Sequence, residues 1–98
     1  MSLPVVLRPE AQEDLLAAQD WYEKQRSGLG EAFTSAVEAV VERIEERPET
    51  YVVIRQGVHR AKLKRFPYVL YYRVLSDRVE VLAVLHGRRD PGTWQKRG

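Results

Sequence analysis

The apolar residues of this chain change period once, at Pro48, and that change limits the folds open to it. Before Pro48 they recur three and four residues apart, as on one side of a helix. After it they alternate every second residue, as on one face of a strand. Leu29, Phe33, Ala36, Val37, Val40, Val41 and Ile44 form the clearest helical stripe, with Glu31, Glu38, Glu42 and Glu45 mostly off it. Ahead of it, Ala11, Leu15, Ala18 and Tyr22 mark an earlier helix. Pro9 suits its first position, and Glu10, Glu13 and Asp14 lie where the positive end of a helix dipole favours carboxylates. Ser27-Gly28-Leu29-Gly30 separates the two helices, and Arg47, preceding Pro48, closes the second. Amphipathic helices joined by so short a link should pack as an antiparallel hairpin.

Beyond Pro48, Tyr51 to Arg55, Val58 to Arg65, Tyr68 to Leu75 and Val79 to His86 read as strands. Gln56-Gly57, Phe66-Pro67 and Ser76-Asp77-Arg78 separate them. Connections this short force antiparallel pairing, because parallel neighbours need a long crossover. Val5-Val6-Leu7 is a further β-leaning run and is expected to join the sheet. The expected fold is therefore α+β, with a short N-terminal strand and a helical hairpin packed on one face of a small, mainly antiparallel sheet. Ninety-eight residues suffice for one domain spanning 1–98. In the last strand, Val79, Val81, Ala83 and Leu85 are expected to meet the helices. Glu80, Leu82, Val84 and His86 would then lie on a second face that no element of the chain covers, a surface suited to docking.

Charge is unevenly distributed. Net charge is only +2, yet 11 of the 14 acidic residues precede Thr50, and 11 of the 16 lysines and arginines follow Glu49. Arg60, Lys62 and Lys64 alternate on the side opposite His59, Ala61 and Leu63. A core requires the second set, but no core requires three cations in a row. Such a row can simply discourage aggregation at a sheet edge. A second cluster, His86-Gly87-Arg88-Arg89-Asp90, makes an anionic partner the better reading, either nucleic acid or an acidic protein segment. The candidate binding residues are Arg60, Lys62, Lys64, Arg65, Tyr71, Arg73, His86, Arg88, Arg89, Trp94 and Arg97. Trp21 and Tyr22 are expected to pack the first helix onto the sheet. Trp94, in a polar tail, would anchor that tail, stack on a base or meet a partner.

Several functional classes are disfavoured. Cysteine is absent, which removes disulfides, thiolate metal sites and cysteine nucleophiles. His59 and His86 stand on different strands without a carboxylate cluster of metal-ligand spacing. No nucleophile elbow or phosphate-cradling glycine loop is present. No apolar run reaches membrane-span length, and the first residues do not read as a secretory signal, so a cytoplasmic protein without cofactor is expected. A metal-free nuclease would need one group to remove the 2′-hydroxyl proton and another to protonate the leaving oxygen. His59, His86, a lysine or a tyrosine are the available types, and no catalytic residue is singled out.

The order helix, helix, then strands reading R-x-K-L-K-R-F-P-Y-V-L-Y-Y-R-V and V-L-A-V-L-H-G-R-R-D-P-x-x-W resembles the RelE/ParE superfamily of toxins from bacterial type II toxin–antitoxin modules. Asp14-Leu15, Trp21-Tyr22, Leu29-Gly30 with Phe33, and Pro48 add to the likeness. Phe66-Pro67-Tyr68 and the His86 to Pro91 segment resemble the ParE-like, plasmid-stabilisation branch. The resemblance implies a single toxin domain that inhibits growth and is neutralised by a cognate antitoxin through an acidic or amphipathic segment. ParE-like members poison DNA gyrase. RelE-like members cut mRNA in the ribosome without metal, using basic residues whose counterparts here are Arg60, Lys62 and Arg89. Val69 stands where RelE-type enzymes carry an arginine, and Trp94 near where their catalytic tyrosine would lie. Those departures favour gyrase over the ribosome-dependent endoribonuclease reading. A degenerate, non-toxic binding module is the third reading.

Overall fold

The computed structural model describes residues 3–88 and 92–97. Its elements run β1 (Val5–Leu7), α1 (Pro9–Gln25), α2 (Leu29–Glu46), β2 (Val53–Arg55), β3 (Val58–Lys62), β4 (Tyr68–Val74), β5 (Val79–His86) and α3 (Gly92–Gln95). This is the expected α+β arrangement. Pro9 opens α1, where its missing N–H leaves no intrahelical bond unmade. The link between the helices is held by Glu23, whose carboxylate accepts hydrogen bonds from the Gly28 N–H at 3.1 Å and the Gly30 N–H at 2.9 Å. It thereby serves donors at the start of α2 that no capping side chain reaches. Gly30 also sits where a Cβ would lie 2.8 Å from the Gln19 carbonyl oxygen, so the close helix crossing depends on glycine there.

The sheet has the order β1-β5-β4-β3-β2. β1 runs parallel to β5 and every other pairing is antiparallel. Gln56 (φ 51°) and Gly57 (φ 76°) turn β2 into β3 with two left-handed residues, the pattern that matches strand twist in a tight hairpin. Three strands are shorter than the alternation suggests, β4 by one residue, ending at Val74 rather than Leu75. β2 begins at Val53 rather than Tyr51 and is exposed throughout. β3 ends at Lys62 rather than Arg65, because the chain turns there. The Leu63 N–H bonds the Tyr68 carbonyl at 3.0 Å, and Arg65 adopts φ 72° within the loop.

The main core lies between the helical hairpin and one sheet face. Phe33, Val37, Val40 and Ile44 of α2, with Ala11 and Ala18 of α1, pack on Ala61, Leu63, Leu70, Tyr72, Val79, Val81 and Val84. Tyr22, Phe33, Phe66 and Tyr68 form an aromatic knot at one end, with contacting ring centroids 4.8–6.0 Å apart. At the other end the Tyr72 hydroxyl donates to the Pro48 carbonyl at 2.6 Å. The His59 ring stacks on Tyr72 at 4.7 Å, with its Nδ1 2.7 Å from the Tyr51 carbonyl oxygen. Two buried rings thus bind the backbone leaving α2 to the sheet.

Three expectations about the faces are corrected. The alternation of β5 is not continuous: Tyr71 opposes Ala83 and Tyr72 opposes Val81, so Leu82 is an extra residue in a β-bulge. Val79 and Val81 face the helices as expected. Beyond the bulge it is Val84 that joins them, while Ala83 and Leu85 pass to the opposite face. That opposite face is not bare, because α3 lays Trp94 over Val58, Val69, Tyr71, Leu82, Ala83 and Leu85. Finally, Tyr22 packs α1 onto the sheet but Trp21 does not; it is 56% exposed and meets Tyr22 edge-on. Among the described residues, no helix is long and apolar enough to cross a membrane.

Candidate functional site

β3 carries the cationic row, and its pleat separates the row from the core. His59 and Ala61 are buried, whereas Arg60 is half-buried and Lys62 exposed. Register sets Arg60 opposite Tyr71 and Lys62 opposite Val69, so both rise from the face that α3 shares. Lys64 and Arg65 follow in the exposed turn. Arg88, just after β5, joins Arg60, Lys62, Val69 and His86 around a shallow concavity of about 280 Å³. The two basic segments therefore do meet in space. Among the described residues, the side chains of Arg60, Lys62, Lys64, Arg65 and Arg88 have no ion-pair partner. Elsewhere Arg8 reaches Glu80, Lys24 reaches Asp20, and Arg78 reaches Asp77. An unneutralised cluster with an apolar floor attracts anions and keeps its field for an incoming partner.

The remaining candidates are placed differently. Arg73 is half-buried opposite Val58 and Glu80. His86 lies at the rim, opposite Tyr68 and edge-on to its ring at 5.5 Å, and its Nδ1 accepts the Arg88 N–H at 3.1 Å. On the helix side it also borders a groove of about 630 Å³ with Trp21, Tyr22 and Tyr68. Tyr71 and Trp94 are buried against each other, stacked at 5.3 Å, so both supply floor and cover in place of free rings. The Trp94 indole N–H is buried without a hydrogen-bond acceptor among the described residues. Arg89 lies outside the described residues.

Arg97 is engaged inside the chain. Its guanidinium contacts the Asp14 carboxylate at 2.5 and 3.3 Å and donates to the Leu82 carbonyl at 3.3 Å. Asp14 also accepts the Val84 N–H at 3.1 Å. β1 stops pairing at Val81, which leaves the outer edge of β5 open beyond it. The Asp14–Arg97 pair bonds backbone groups on that stretch, so two side chains continue what a longer β1 would have done. The hydrogen bond to Asp14 raises the Arg97 pKa further, so the guanidinium stays protonated. Reading Asp14 as a helix-dipole residue missed this role. No local pattern links it to a residue at the far end of the chain.

Two of the acid–base candidates are tied up in the core. His59 is buried and bound to a backbone carbonyl, and burial raises the Tyr72 hydroxyl to about 12. Among the described residues, no group of three histidines, cysteines or carboxylates could hold a metal ion.

Residues 5–91 match the family model described as ParE toxin of type II toxin-antitoxin system, parDE. A curated relative, Toxin ParE2 of Mycobacterium tuberculosis, is 26% identical over 81 residues, covering 82% of this chain and 77% of the relative; the same toxin from a second strain matches equally. Among solved structures, a chain of the chromosomal ParDE TA system from P. aeruginosa superposes with a TM-score of 0.64 at 21% identity, covering 87% of this chain and 96% of that one. That structural likeness concerns the fold.

Proposed function

The chain belongs to the ParE toxin family of type II toxin–antitoxin systems, and from that premise we propose that it arrests growth by binding DNA gyrase and is silenced by a cognate antitoxin. The observation that carries the antitoxin half is the unpaired set Arg60, Lys62, Lys64, Arg65 and Arg88, which an acidic segment would neutralise. The P. aeruginosa relative comes from a system named for both a toxin and its antitoxin, which is consistent with this reading.

Gyrase is favoured over RNA cleavage by what surrounds the cations. Val69 is buried in the floor beside Lys62, where the ribonuclease branch carries an arginine. Trp94, near where that branch's catalytic tyrosine would lie, is buried on Tyr71. His59 is committed to a carbonyl. Phosphate contacts would remain possible, but among the described residues only His86 and Lys62 border the concavity at Arg60 and Arg88 as groups able to move a proton.

The test is expression of the chain alone in a bacterial host. Growth arrest with gyrase-linked DNA breaks and intact mRNA is the expected result. Ribosome-dependent mRNA cuts with undamaged DNA would replace gyrase by the ribosome as target. Growth without arrest would sink the toxin reading and leave a binding module. Rescue by the adjacent short reading frame, if it encodes a DNA-binding fold with an acidic tail, would supply the antitoxin.

A further inference from the structure

Six large apolar side chains are exposed among the described residues, and three of them are consecutive. Val6, Leu16 and Trp21 stand apart on β1 and α1, whereas Val52, Val53 and Ile54, at 64%, 53% and 41% exposed, form one patch along β2. Isolated apolar side chains are ordinary on a surface, but a contiguous run marks a place of contact. β2 is also the last strand of the sheet, so no strand of this chain lies along its outer side. The Arg60 N–H bonds the Val52 carbonyl at 2.9 Å, which turns that carbonyl towards β3. Successive backbone groups alternate across a strand, so the Val53 N–H and C=O point away from the sheet. The opposite edge is blunted, because β1 lies between Pro4 and Pro9. No proline or lysine interrupts Val52 to Arg55.

We infer that β2 is a self-association edge, on which a second copy of this chain docks by antiparallel pairing of the two β2 strands about a twofold axis. Centred on Val53, that pairing lets each Val53 N–H donate to the other copy's Val53 carbonyl, so both outward groups are satisfied. Val52 then lies opposite the other copy's Ile54, and the exposed run of each copy covers that of the other. The Arg55 end of each strand falls beside the Tyr51 end of the other, just after Glu49. Neither Arg55 nor Glu49 has an ion-pair partner among the described residues, so opposite charges are brought together twice. A second copy arrives with a preformed strand of matching pattern. A flexible segment of another protein must first be ordered, at a cost for each residue fixed. Antiparallel edge pairing keeps equivalent faces together, so the Arg60 and Lys62 faces of both copies share one side of a continuous sheet, five strands from each copy. The edge is short and shifts register between Val53 and Arg55, so the dimer is weak and concentration-dependent.

The test is sedimentation velocity of the full chain, purified free of other proteins, over about 5 to 500 μM. The expected result is a shift from the monomer mass of 11.4 kDa towards twice that value as concentration rises. Val53→Pro removes the outward N–H and leaves the bonds to β3 in place, so it should abolish the shift with the circular dichroism spectrum unchanged. Val53→Lys should do the same by charge, and covers the case in which proline disturbs the fold. Position is read by cross-linking, for which the absence of cysteine gives a clean background. Residues facing each other in a hydrogen-bonded antiparallel pair lie about 5.5 Å apart at Cα, within disulfide reach. Val53→Cys, oxidised with oxidised glutathione, should therefore form a covalent dimer about tenfold faster than Val6→Cys on the opposite edge. A chain that stays monomeric over the whole range would overturn the inference and leave the edge to an extended segment of another protein. So would a dimer that survives both substitutions at Val53, or equal cross-linking at Val6 and Val53.

Discussion

The two faces of the sheet are covered by very different means. One carries two long helices whose buried residues interlock with three strands and an aromatic knot. The other carries a four-residue helix whose buried contribution is a single ring, Trp94, beside Arg60, Lys62 and Arg88, which have no ion-pair partner among the described residues. Phe33 and Trp94 are both almost fully buried, at 0% and 3% exposed. Yet one is set between a helical hairpin and the sheet, the other on a four-residue helix that covers the sheet from outside. Equal burial therefore need not mean equal energetic weight. The thick face carries most of the buried side chains, and the thin face carries the exposed cations.

Replacing Phe33 with alanine breaks the thick face directly and should cost about 3–5 kcal/mol, read by chemical denaturation. A loss near that expected of a surface site would collapse the distinction. Asp14→Ala attacks the clamp joining the C-terminal segment to α1 and the edge of β5. It removes the Val84 acceptor and leaves the Arg97 guanidinium, whose side chain is 18% exposed, without its partner, for about 2–3 kcal/mol. Trp94→Ala should cost only about 1–2 kcal/mol, because the short helix can leave rather than enclose a void. A cost equal to that of Phe33→Ala would make α3 an integral part of the core.

Tyr72→Phe tests the thick face by pH. Burial raises the hydroxyl from 10.0 to about 12, so the folded chain favours the neutral phenol. The corresponding stability is complete below pH 10 and is lost as pH rises toward about 12, where the phenolate must form. Wild-type stability should fall across that window and the variant should fall less, measured by denaturation at successive pH values. The smallest effect on folding is expected from Lys62→Glu with Lys64→Glu. Both side chains are exposed, so stability should change by no more than about 0.5 kcal/mol while partner binding weakens. Unfolding by these changes would place the row in the core.

Much of the fold is legible in the chain because its rules are local. The switch at Pro48, the stripe from Leu29 to Ile44 and the tight turn at Gln56-Gly57 each use neighbours within a few residues, and each appears where expected. The separation of Arg60 and Lys62 from His59 and Ala61 follows from strand period alone. Strand ends were less legible. Arg65 turns left-handed because the chain must reach Tyr68, and that demand is not written in the alternation of Val58 to Lys64.

What the sequence by itself determined, then, is the helical hairpin and the approximate places of the five strands, which residues of β3 face the helices, and that cations gather on one side of β3, but not the short α3. Tertiary structure alone decided three things. The bulge at Leu82 sends Ala83 and Leu85 away from the helices, because register depends on two strands together. Trp94 becomes cover for Tyr71, because a ring in a polar tail has no period to reveal its burial. Asp14 and Arg97, 83 residues apart, meet only when α1 and the chain end converge on the unpaired edge of β5. Each outcome rests on contacts between segments distant in the chain, where local pattern carries no information and close packing with hydrogen-bond satisfaction decides.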